Sequence, residues 1–201
     1  VRGHTTMPLH VPPAPAPALR SVLTALGSPT AVHEVRTPGL NALAGPFEPE
    51  LPLPVHVLDA ITAPAGGPRT RLHGWRFMIR EEDRTVAAAE ARLTADGWAF
   101  SHFSEGPYVA SAELALREAE SLPVTYQPRL LSIPEMYMVT LWLHENPVAD
   151  AADGGLGAGD LMVPLAPAPP GIAAHRAHRA ADLLPALTLR LTPARLLGSP
   201  A

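Results

Sequence analysis

Twenty-five prolines in 201 residues constrain this chain more than any other feature. Each proline removes a backbone donor and fixes φ, so it ends, kinks or edges the regular element it enters. The prolines cluster, and the gaps between clusters mark where helices and strands can lie. Residues 8–17 alternate proline with alanine and other small residues, a composition that favours extended polyproline conformers, so residues 1–15 are expected to form a flexible arm. Leu19, Val22, Leu23 and Leu26 then recur at helical spacing between Pro17 and Gly27, which predicts a short amphipathic helix with a proline in its first turn and a glycine stop. A helix of about ten residues is marginal on its own, so its apolar stripe needs a partner surface. Proline and glycine remain dense from 28 to 54. Residues 16–50 therefore read as the helix plus an irregular connection, 51–190 as a single core domain and 191–201 as a tail.

Inside the core the period is first two, then 3.6. Residues 55–58 read as a strand, and Trp75, Phe77 and Ile79 alternate with Arg76, Met78 and Arg80 in another. The polar run Glu81-Glu82-Asp83-Arg84 is a turn into a strand over 85–93, and Asp96-Gly97 turns the chain again into 98–103. Val109, Ala112, Leu116 and Ala119 then share one helical face, with Ser104 as the expected cap. Strands follow over 127–133, 136–144 and 160–165, and a short helix over 180–187. This order lacks the regular strand–helix alternation of parallel crossovers. The predicted class is α+β: a mostly antiparallel sheet with one main helix, about 107–121, and short terminal helices packed on it, mainly on one face.

Composition removes several chemistries. Hydrophobic residues at 47% and charged residues at 17% mark a chain able to bury a core. There is no cysteine, hence no disulfide, thiolate nucleophile or cysteine-held metal centre. All 15 basic residues are arginine, so Schiff-base chemistry and the phosphate-loop lysine are excluded. The bias to Ala, Pro, Arg and Gly is that of a GC-rich bacterial genome. A net charge of −4 with scattered arginines argues against a nucleic-acid partner. The longest apolar run, 136–143, is far short of the ~20 residues that span a bilayer, and the proline-broken opening does not resemble a signal peptide. A cytoplasmic protein with no membrane partner and no cofactor is the expectation.

Four groups of residues carry whatever chemistry is legible. His102, Ser104 and Glu105 lie where a strand passes into the main helix, a junction whose free N–H groups suit an anion; alternation places His102 on one face with Trp98 and Phe100. His144 closes a later strand and would meet His102 and Glu90 if the two strands were neighbours. His175 and His178 are spaced to share a helical face, the geometry of a two-histidine metal site, although no third ligand stands nearby. The glycine-rich run DGGLGAGD, 153–160, reads into a strand and lacks a lysine, so it is expected to be a flexible loop rather than a phosphate or calcium site. No nucleophile elbow or zinc-protease motif is present. The reading that follows leans away from an enzyme: a non-catalytic interaction or assembly module, docking a protein partner or a second copy through the proline-rich arm and the first helix, with Leu19, Val22, Leu23 and Leu26 as the contact residues. The alternative is a small-molecule-binding protein or metal-dependent enzyme with a site around His102, Glu105 and His144, lined by a sheet face carrying Trp75, Trp98 and Trp142, which serve equally well as core.

Overall fold

A computed structural model of the chain describes residues 9–32, 38–42, 45–60 and 68–191. Its strands are β1 (Glu48–Ala60), β2 (Arg69–Glu81), β3 (Arg84–Thr94), β4 (Gly97–Ser104), β5 (Gln127–Ile133), β6 (Met138–His144), β7 (Leu161–Pro164) and β8 (His178–Arg179). They form one eight-stranded sheet in the order β4-β3-β2-β1-β5-β6-β7-β8. Every pairing is antiparallel except β1 with β5, which run parallel over Val55–Leu130, His56–Leu131 and Val57–Ser132. The α+β class and the predicted hairpins hold. Two antiparallel meanders meet at a parallel seam three residue pairs long.

Three helices of similar length cover this sheet: α1 (Ala16–Leu26), α4 (Pro107–Glu120) and α5 (Ala180–Leu191), with one-turn helices α2 (Pro29–Val32) and α3 (Pro38–Asn41) between the first two. Pleating decides where each helix packs, because neighbouring residues of a strand face opposite ways. Met78, Ala88, Leu53, Leu130, Leu141 and Val163 share one face, and α4 buries Val109, Ala112, Ala115, Leu116 and Ala119 against it. Their sequence neighbours Phe77, Ile79, Ala87 and Ala89 point the other way, into a second cluster closed by Ala18, Val22 and Ala25 of α1. On that same opposite face Leu131, Ile133, Trp142 and Met162 meet Leu183, Leu184 and Leu187 of α5. Helices therefore cover both faces, a correction to the expectation of one. The cause is legible over 77–79 of β2 and 87–89 of β3, where every residue is apolar and buried, so both sides of the pleat need cover there.

Two further expectations change. Residues 9–15 are fastened rather than free: Leu9 packs on the α4 cluster, Pro12 is buried, and the His10 N–H donates to the Tyr126 carbonyl at 2.9 Å. The rest of the predicted arm, 1–8, and the tail over 192–201 lie outside the described residues. Of the predicted docking stripe, Val22 is wholly buried and Leu19 and Leu26 pack against the same cluster, whereas Leu23 remains half exposed. The first helix completes the core of its own chain. Among the described residues no helix is long and apolar enough to cross a membrane.

Candidate functional site

α4 covers only part of its face. Its contacts Met78 and Ala88 lie beside the β2–β3 turn, and the opposite ends of the strands are left open as a cleft of about 470 Å³. Val55, Val57, Leu130 and Val139 form an apolar floor across the seam, and Arg71, His73, Arg76, Glu90, Arg92 and His102 rise along one side.

Two bulges bring these polar residues together. Along β2, strict alternation would place Arg71 and His73 with Trp75, on the face turned to α1. The pairing with β1 slips instead, from Val55–Gly74 to His56–Leu72, so His73 is one residue too many and Arg71 comes round to pair with Val57 on the cleft face. Gly74 permits this crowding, since a Cβ there would stand 2.5 Å from the Ala91 carbonyl oxygen. Along β4 the pairing slips from Ala91–Phe100 to Glu90–His102, with Ser101 extra. Phe100 thus stays with the α1 cluster while His102 turns to the cleft, which corrects the expectation that they share a face.

Glu90 is the buried anchor of the cluster. One carboxylate oxygen accepts from Arg76 Nε at 3.0 Å and also from the terminal nitrogen of the same guanidinium, and Arg92 reaches the other oxygen at 3.6 Å. Burial alone would raise the Glu90 pKa, but Arg76, His102 and Arg92 together outweigh it and hold the carboxyl below its ordinary value. Arg71 pairs with Asp59 at 2.7 Å. His73 feels the excess of positive charge: burial lowers its pKa, and Arg92 and Arg71 lower it further against the pull of Glu90. His102 Nδ1 lies 3.1 Å from the Ser101 hydroxyl.

The other predicted site residues lie elsewhere. Glu105 accepts from the N–H groups of Gly39 at 3.0 Å and Leu40 at 2.7 Å, so it closes the start of α3 instead of facing a ligand. Ser104 is the last residue of β4; Gly106 occupies the cap of α4 and no side chain caps that helix. His144 cannot meet His102, because β6 and β4 stand five strand positions apart, about 24 Å at the usual strand spacing. It donates instead to Asp160 at 3.0 Å. Asp160 is fully buried and also accepts from Trp142 Nε1 at 2.7 Å and from the N–H groups of Glu145 and Gly157, each at 2.9 Å. Glu90 does join His102, as the cross-strand pair.

His175 and His178 do not share a helix. His175 sits in a turn with φ of 61° and bonds the Ser111 hydroxyl at 3.1 Å, and His178 is in β8, before α5 begins. Among the described residues no three histidine, aspartate or glutamate side chains gather as a metal site. The glycine run is packed, not loose: a Cβ at Gly154 would lie 1.9 Å from the Thr70 carbonyl oxygen, and Asp160 ties down Gly157. Trp75 and Trp142 are core residues and Trp98 packs on the α1 side, so none lines the cleft.

No protein-family model matches the chain, and no curated protein or solved structure matches it either. The site is therefore argued from its own chemistry. Arg71 and His73 escape the sequence reading because the bulge that turns them leaves no local signature beyond Gly74, and Arg76 and Arg92 because ordinary alternation puts them on the cleft face without showing which charges meet there.

Proposed function

We propose that the protein is a non-catalytic small-molecule-binding module whose ligand occupies the cleft beside α4. The observation that carries this reading is the joining of an apolar floor, Val55, Val57, Leu130 and Val139, with a convergent polar wall in one concavity, the combination that marks ligand sites generally. It keeps His102 from the small-molecule alternative read in the sequence and replaces Glu105 and His144 by Glu90 and the three arginines. The docking reading loses its helix, since Val22 is in the core.

The test is a titration with a panel of small neutral and charged aliphatic and aromatic fragments, followed by ¹H–¹⁵N spectra. Shifts should concentrate at the amides of Arg71, His73, Arg76, Glu90, Arg92 and His102. Val57→Trp, at a partly exposed floor position, should fill the cleft and abolish them without changing the melting temperature. A panel that perturbs none of these amides, or shifts that survive in the filled variant, would reject the reading.

A further inference from the structure

Resting on that reading, we infer that the ligand is a small organic monoanion, a carboxylate carried on an apolar body. The argument is a charge count along the wall. Three guanidinium groups, of Arg71, Arg76 and Arg92, face two carboxylates, of Asp59 and Glu90, among the described residues. Arg71 and Asp59 are paired at 2.7 Å, and Arg76 is held by Glu90 in the interior, their side chains only 14% and 8% exposed. Arg92 is left with a loose 3.6 Å contact to an oxygen of a carboxylate already occupied, and its side chain is 44% exposed. One positive charge is thus unanswered and accessible. His73 and His102 line the same cleft as further hydrogen-bonding groups.

A guanidinium presents parallel donors that match a carboxylate, and such charge-assisted bonds are the strong ones. Binding of one anion neutralises the wall, and a dianion would leave a charge in excess. Val55, Val57, Leu130 and Val139 then call for an apolar body on the carboxylate.

The experiment compares octanoate, octanamide and inorganic phosphate by calorimetric titration of the full chain. Octanoate should bind about tenfold or more tightly than octanamide, and phosphate should bind more weakly than octanoate. Arg92→Gln should remove that preference for the acid over the amide while the protein keeps its folded circular-dichroism spectrum; a variant that still prefers the acid would overturn the role of Arg92. Equal binding of acid and amide in the parent protein would overturn the anion assignment yet leave a small-molecule cleft standing. Preference for inorganic phosphate would replace the carboxylate by a phosphate. Failure of all three probes, together with a fragment panel that perturbs no cleft amide, would remove the cleft reading itself.

Discussion

At the scale of single residues, six of the buried polar side chains, His56, Thr70, Gln127, Arg129, His144 and Asp160, fasten the loop between β6 and β7. His56 is wholly buried; Nε2 donates to the Ala151 carbonyl at 2.9 Å, and Nδ1 lies 2.9 Å from the Thr70 hydroxyl. Burial, against the Ala151 carbonyl and with Arg129, Asp153 and His144 as the charged groups around it, lowers its pKa from 6.5 to about 4. The native state therefore holds the neutral ring while the unfolded chain takes up a proton first, so this contribution is complete above pH 6.5 and is lost as pH falls towards 4. At roughly 1.36 kcal/mol per pH unit the loss is about 3 kcal/mol. Denaturant unfolding at pH 7 and pH 4.5 should show it, and His56→Phe, less stable at pH 7, should lack that share of the acid loss. Parallel losses in parent and variant would refute it. Arg129 is the companion device. Fully buried and 4.8 Å over the Trp142 ring, it donates to Gln127 at 2.7 Å and to the carbonyls of Asp150 and Asp153. Nothing in the sequence distinguishes this arginine from its exposed neighbours.

At the scale of elements, adjacent residues of one helix have opposite fates. Val22 is fully buried and Leu23 is 48% exposed, so Val22→Asp should unfold or aggregate the protein by burying an unpaired charge. Leu23→Asp should shift stability within about 0.5 kcal/mol and leave the mass unchanged. Circular dichroism with light scattering checks both; a folded Val22→Asp protein would show that α1 is dispensable. This contrast also marks what a sequence pattern can tell. Helical spacing located α1, but not whether its stripe meets its own sheet or another protein. Strand and helix positions followed from periodicity because burial enforces it: β3, β4 and α4 lie within a residue or two of where the pattern places them, whereas β2 begins at Arg69, six residues before its alternation is readable. The cleft did not follow, since it depends on two places where the periodicity breaks. One extra residue at His73 and one at Ser101 turn Arg71 and His102 to the face that alternation denies them. His102 and Glu90 were visible as chemistry, and their surroundings only as geometry.

At the scale of the molecule, β1–β4 and β5–β8 are joined by three parallel residue pairs and by α4, which packs on both β3 and β6. Contacts within each meander link residues close in sequence, whereas the seam closes a loop from β1 to β5, and such long closures come late in folding. Pulse-labelled hydrogen exchange during refolding should protect the β2–β3 and β5–β6 hairpins before the β1–β5 pairs. Uniform protection in one step would show that the two halves form together. Leu116, 4% exposed beneath α4, should cost about 2–5 kcal/mol as alanine and expose the seam as well as the helix. The seam has a consequence for the cleft as well. Val55 and Val57 come from one half and Leu130 from the other, so the floor does not exist until the halves have met. A molecule resting on it would act as a rivet across the two halves of the sheet, and its occupancy would be recorded in the lifetime of the junction between them.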